Sequence, residues 1–197
     1  RTLRPKKKED CHGVATGLLH QPRRILLERR AEFKSEYFDG VVYATAGGSE
    51  RHNLITGNLV TELNIRLRER PCRVYPSDMK VRVPNSKRFF YPDVSVVCGE
   101  IRFADEKKDV ILNPVLVVEV LSESTEAFDR GKKFSSYQQI ESLREYLLVA
   151  QDEFVVEHYL RQEEGWLYTK AGGPEADLVP PALDCRIALG DIYNKVE

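Results

Sequence analysis

Three residues of this 197-residue chain have the side-chain types and surroundings to do chemistry together: Asp93, Glu119 and Lys133. Glu119 interrupts an apolar run, Val115 to Leu121, in which Val holds four of the seven positions. Such a run reads as a strand buried on both faces. A carboxylate inside it is costly unless something compensates its charge. A metal ion, a nearby Lys or Arg, or a proton held by a raised pKa would each serve. Asp93 stands directly before a second β-rich run, Val94 to Cys98, and Lys133 falls in the segment after Glu119. Two adjacent core strands can bring an Asp and a Glu to one sheet edge. Two converging carboxylates then bind a hard divalent cation such as Mg2+, which keeps several of its waters. That cation can activate a water and neutralise charge on a phosphodiester. A lysine within reach would hold the attacking water or steady the transition state. The same three residues also fit a structural arrangement, with Glu119 paired to Lys133 and Asp93 in a turn.

The elements that must position them follow from pattern. Residues 22–35 read as a helix with Pro22 in its first turn. Tyr37-Phe38 and Val41-Val42-Tyr43 flank Asp39-Gly40, a hairpin signal. His52 to Glu69 is the clearest helix, with Leu54, Ile55, Leu59, Leu63 and Leu67 three to four residues apart, Ser49 near its cap and Pro71 as its stop. Strands are predicted over Arg73 to Val83 and Phe89 to Cys98, and a loop or short helix over Gly99 to Asn113. After the Glu119 strand, Ser124 or Thr125 caps a helix over Glu126 to Glu141. Its buried face carries Phe134, Tyr137 and Ile140, and Lys133 lies at the stripe's edge, four residues from both Asp129 and Tyr137. Glu145 to Ala150, Phe154 to Leu160, Trp166 to Lys170 and Leu178 to Ala182 read as further strands, and Leu189 to Val196 as a short helix. Strands and helices mix without regular alternation, so the expected class is α/β, of the mixed α+β kind, around a mixed central sheet. The domain reading is a flexible, basic arm over residues 1–17 and a single domain over 18–197.

Composition narrows the function classes. The chain is 42% hydrophobic and 31% charged, with a net charge of −1. That balance gives no global electrostatic case for nucleic acid, although a nuclease needs only a local basic face. Basic clusters occur at Arg4 to Lys8, Arg66 to Arg73, Lys87-Arg88 and Arg130 to Lys133. No apolar run is long enough for a transmembrane helix, no segment has the signal-peptide pattern, and a cytoplasmic location is expected. The four cysteines, Cys11, Cys72, Cys98 and Cys185, are dispersed and are expected to be buried thiols rather than disulfide partners.

Six stretches, taken in order, carry a resemblance: S-E-Y-F-D-G from Ser35, G-G-S-E-R-H-N-L-I-T-G-N-L from Gly47, Y-P-D-V-S-V-V from Tyr91, N-P-V-L-V-V-E-V-L-S-E-S-T from Asn113, D-R-G-K-K-F-S-S-Y from Asp129 and R-E-Y-L-L-V from Arg144. Each is weak alone and specific in combination. Over residues 32–196 the chain resembles the Uma-two family of restriction endonucleases, a branch of the PD-(D/E)XK nuclease superfamily. The resemblance implies a restriction-endonuclease-like core, with Asp93 and Glu119 as its two acids and metal ligands and Mg2+ or Mn2+ as cofactor. The usual lysine position, two residues after the second acid, is Leu121 here, and Lys133 on the next helix matches a displaced lysine. A displaced lysine serves if its amine reaches the same place. Secondary candidates are Glu36, His52, Asp78 and Tyr137. Glu36 matches an acidic position in the first hairpin, whose second acid is replaced by Val41. His52 opens the long helix, Asp78 is read on the strand before Asp93, and the Tyr137 hydroxyl is read as orienting Lys133.

The leading expectation is therefore a Mg2+-dependent endonuclease acting on DNA, with a homodimer as one arrangement for cutting both strands. The alternatives are a nuclease-fold domain that binds nucleic acid or protein without cutting, and a structural or oligomerising domain in which the Glu119–Lys133 pair only stabilises.

Overall fold

The described residues form two main sheets and a short two-stranded one; the valine-rich runs lie in the larger main sheet, and both main sheets contribute to the residues around Glu119. The computed structural model describes residues 35–38, 41–44, 47–86 and 88–197, all within the unit Ser35–Glu197. The expected arm over residues 1–17, nearly all of the helix over 22–35, the Asp39-Gly40 turn, Cys11 and Lys87 lie outside the described residues.

In chain order, the strands are β1 (Ser35–Phe38), β2 (Val41–Ala44), β3 (Cys72–Pro76), β4 (Lys80–Arg82), β5 (Phe89–Phe90), β6 (Val94–Cys98), β7 (Val110–Ile111), β8 (Leu116–Val120), β9 (Glu145–Val149), β10 (Val155–Gln162), β11 (Gly165–Gly172), β12 (Asp177–Leu178) and β13 (Ile187–Ala188). The α-helices are α1 (Glu50–Arg66), α2 (Glu126–Phe128), α3 (Phe134–Tyr137) and α4 (Leu189–Ile192), and a π-helical turn, Asp129–Lys133, joins α2 to α3. The larger sheet runs β11-β10-β9-β8-β6-β3, with only β8 and β9 parallel. The smaller runs β2-β1-β5-β4-β7, with only β4 and β7 parallel. The hairpin signal around Asp39-Gly40 corresponds to the antiparallel pair β1–β2, in which Phe38 faces Val41.

The larger sheet is covered on both faces, which is why its central strands read as continuous apolar runs. One face, with Val94, Val96, Leu116, Val118, Val120, Leu147 and Val149, packs against Ile55, Leu59 and Leu63 of α1 and against α4. The other face, with Val97, Val117, Tyr146 and Leu148, packs against Val81 and Phe90 of the smaller sheet and against Phe134 and Tyr137 of α3. Alternation along β8 therefore places Glu119 on the face shared with the smaller sheet. Ser49 caps α1 by accepting a hydrogen bond from His52 N at 3.1 Å, as its position suggested. Leu59 is fully buried beneath the sheet, and a buried leucine of this kind contributes ~2 kcal/mol or more through burial alone.

Several expectations are corrected. The two long strands over 73–83 and 89–98 are each split between the sheets, β3 from β4 and β5 from β6. A turn at residues 77–79 makes the first break. Pro92, with no N–H to give a ladder, lies at the second. The loop over 99–113 contains β7, which pairs with β4, and a bridge from Phe103 to Ile111. The helix after Glu119 ends at Tyr137 and is interrupted by the π turn, and Thr125 stands at its N-cap without a side-chain capping bond. Cys72 and Cys98 form a disulfide, because the β3–β6 register places them directly opposite one another, 26 residues apart in sequence. Cys185 is a free, partly buried thiol. Among the described residues no helix is long and apolar enough to cross a membrane.

Candidate active site

β6 and β8 are antiparallel neighbours, and Val94 pairs with Val118. Asp93 stands in a bend directly before β6, and so lies next to the end of β8 that carries Glu119. Asp93 is tied in place there: its Oδ2 accepts a hydrogen bond from Val120 N at 2.7 Å and lies 3.2 Å from His52 Nε2. The cap at Ser49 fixes the first turn of α1, and this aims His52 back at Asp93.

Lys133 reaches the same place from the helix. A π turn accommodates one more residue per turn than an α-helix, and such turns are frequent at functional sites. Here it turns both Asp129 and Lys133 inward, so that both are buried. Lys133 Nζ lies 2.9 Å from Glu119 Oε2, 2.9 Å from Glu36 Oε1 and 3.3 Å from Asp129 Oδ1. Glu36, on β1, also accepts from Tyr91 N at 3.2 Å. Glu119 Oε1 accepts from the Tyr137 hydroxyl at 3.0 Å.

The charges do not balance. Glu36, Asp93, Glu119 and Asp129 supply four carboxylates, against one ammonium from Lys133 and whatever charge His52 carries. Burial pushes the Glu119 carboxyl well above its usual range; Lys133 opposes that, while Asp129, Asp93 and Glu36 reinforce it. Burial also raises Asp129, and the charge of Lys133, 3.3 Å from its Oδ1, opposes that without cancelling it. Burial acts to lower Lys133, but the summed charges of Glu119, Glu36 and Asp129 outweigh it and hold the amine well above its usual value. The hydrogen bond to Asp93 raises His52 against the opposing effect of burial. The site is thus a largely buried cluster of hard oxygen donors with too little positive charge.

Of the sequence candidates, Asp93, Glu119, Lys133, Glu36, His52 and Tyr137 are brought together. Asp78 is not on a strand. It is exposed in the turn between β3 and β4, because the chain leaves the larger sheet after Pro76. The Tyr137 hydroxyl bonds to Glu119 rather than orienting Lys133. Asp129 was not singled out as a site acid; its signal was the four-residue spacing to Lys133, which on a regular helix also describes a surface pair.

Comparison with known proteins gives the family and the fold. Residues 21–189 match the family described as "Uma2: Putative restriction endonuclease". An uncharacterized protein of Synechocystis sp. is 37% identical over 84% of this chain and 94% of its own length. A second from the same organism is 42% identical over 71% of this chain and 73% of its own. The crystal structure of a "putative nuclease belonging to DUF820" from Anabaena variabilis superposes with a TM-score of 0.68 at 19% identity, over 85% of this chain and 93% of that one, which is a likeness of fold.

Proposed function

Because the chain belongs to the Uma2 family, we propose that it is a metal-dependent endonuclease that hydrolyses DNA phosphodiester bonds. The observation that carries the reading is the excess of buried carboxylate around Lys133. The residues fit a hard cation. Asp93, directly before β6, and Glu119 on β8 offer hard oxygen donors, and around them four carboxylates share one ammonium. No group of three or more His, Cys, Asp or Glu among the described residues has the geometry to hold a metal alone. Two carboxylates with water and substrate phosphate completing the shell is the habit of Mg2+ rather than of zinc. Asp93 and Glu119 would hold Mg2+ or Mn2+, and the cation would supply Lewis acidity toward the phosphodiester and a more acidic water.

The chain's own groups have separate tasks. Lys133 stays protonated in this surrounding, so it is a donor and not a base. Its three N–H groups face three carboxylates, and the one directed at Glu119 is the one to be turned toward a water or a phosphate oxygen. Tyr137 fixes the orientation of Glu119, and His52 with Val120 N fixes that of Asp93. The observation favouring a non-cleaving nuclease fold is that both Glu119 oxygens already have partners. One experiment separates the two. Mn2+ added to chelator-treated protein is expected to raise the melting temperature by about 5–10 °C at a hundredfold excess over Kd. Plasmid nicking is expected to appear with the metal and to vanish in Glu119→Gln. An unchanged melting temperature, or equal nicking by the variant, removes the reading.

A further inference from the structure

Three tyrosines stand side by side across the outer strands of the larger sheet. Tyr146 on β9 faces Tyr159 on β10, which faces Tyr168 on β11. Their ring centroids are 6.2 and 5.2 Å apart. The row begins at the candidate site, where the buried Tyr146 hydroxyl donates to Asp129 O at 3.0 Å. It ends in solvent, with Tyr168 49% exposed. Trp166 shares this face, edge-on to Phe134 with centroids 5.3 Å apart.

Beside the aromatic row lie two arginines, Arg161 and Arg144. The Arg161 guanidinium sits 4.6 Å from the Trp166 ring centre. Its Nε and Nη2 donate to the carbonyls of Leu143, Gln138 and Ile140, and Nη1 takes no part in these bonds. Arg144, exposed, is joined to it through Arg161 N to Arg144 O at 2.8 Å. Burial lowers the Arg161 pKa, and the charge of Arg144 lowers it further. Among the described residues neither arginine has a carboxylate within ion-pair distance, whereas nearby Arg130 is bound by both Glu126 and Glu157. Two arginines that repel one another, with N–H groups unspent, are suited to an anion, and an exposed ring beside them is suited to a base.

We propose that Arg144, Arg161 and Tyr168 form a subsite for an unpaired nucleotide of the nucleic-acid substrate, with its phosphate on the arginines and its base stacked on Tyr168. The identity of the macromolecule rests on the nuclease reading. Strand spacing places the subsite within reach of the same bound strand. Tyr168 is three strands from β8 and two residues along from the position opposite Glu119, about 16 Å away. The arginines lie two residues further along and one and two strands nearer β8, which puts the Arg161 and Arg144 Cα atoms about 8 and 12 Å from that of Tyr168, a gap that their long side chains narrow.

Trp166 is the chain's single tryptophan and reports on the site directly. In EDTA, a single-stranded oligodeoxynucleotide of about 12 nucleotides is expected to quench its fluorescence saturably. Tyr168→Ala is expected to weaken binding about 5- to 100-fold, while Tyr168→Phe binds as wild type. Arg144→Ala is expected to lower the slope of log Kd against log salt by about 0.7. Both positions are exposed, and far-UV circular dichroism checks that the variants fold. Wild-type Kd in both Tyr168→Ala and Arg144→Ala overturns the subsite, as does absence of quenching in wild type. A duplex that binds as tightly and loses as much in Tyr168→Ala overturns the assignment to an unpaired nucleotide. Metal-dependent nicking is scored separately. Tyr168-dependent binding without nicking keeps the subsite and removes the nuclease reading. Nicking with Tyr168-indifferent binding does the reverse.

Discussion

Replacing Glu119 with Gln asks directly whether this carboxylate is retained for stability. Glu119 is 3% exposed, bound by Lys133 and by the Tyr137 hydroxyl. If the pair with Lys133 were a simple structural ion pair, removing one partner would strand a buried charge and cost about 3–5 kcal/mol. In this site the ammonium keeps Glu36 at 2.9 Å and Asp129 at 3.3 Å, so it is not stranded. Gln retains the side-chain shape and one acceptor oxygen, so the loss is one hydrogen bond, about 1–2 kcal/mol. Against that stands the relief of an ionised carboxylate that burial and three other acids disfavour. The two effects are of the same order, and the metal-free variant is expected to lie within about 1 kcal/mol of wild type, or about 4 °C in melting temperature. The sign with pH is fixed by the raised carboxyl. Stability from protonated Glu119 is present below its unfolded value near 4.5 and lost as pH rises through the raised folded value. The variant should therefore gain on wild type as pH rises. Differential scanning calorimetry in chelator across pH 5–9 is the assay. A drop of more than about 6 °C at neutral pH would refute the charge-excess argument and leave Glu119 as a stabilising ion-pair partner.

Lys133→Met removes the one ammonium paired with these carboxylates and leaves them facing one another, so urea unfolding at pH 7 should show a loss of about 3–5 kcal/mol. That loss should shrink on acidification as Glu119 and Asp129 take up protons; a loss independent of pH would contradict the reasoning. For His52, whose folded pKa is raised above 6.5 by Asp93, the stabilising contribution is present below about pH 6.5 and lost as pH rises through the folded value. The melting-temperature gap between wild type and His52→Asn should accordingly be widest on the acid side and close on the alkaline side.

Much of this was legible in the sequence because burial writes itself into the residue pattern. The run around Glu119 predicted a strand covered on both faces, and β8 is buried at every position. The leucine spacing predicted α1, and Leu59 and Leu63 face the core. Asp93 and Glu119 stood out because charge beside or inside such runs is anomalous. What was not legible depends on long-range register. Cys72 and Cys98 are 26 residues apart and meet only because β3 and β6 pair. Asp78 reads as sharing a strand with the site because the break after Pro76 leaves no hydrophobic signature. Glu36 gained weight only through the tertiary contact with Lys133, since one side of its hairpin had lost its second acid to Val41. The π turn leaves no mark in the residue pattern, because a uniform helical period fits the same apolar positions.

That turn has a consequence for how a site of this kind can change. Along a strand, shifting a lysine by one residue sends it to the opposite face, so its aim has two settings. Along a helix, each residue advances the direction by about 100°, so one inserted residue re-aims everything beyond it by that angle. Gly131, within the turn, is exposed and has open space where a side chain would begin. With its amine on the helix rather than on β8, the protein can redirect Lys133 by a length change of one residue at its surface, without disturbing the strands that hold Asp93 and Glu119.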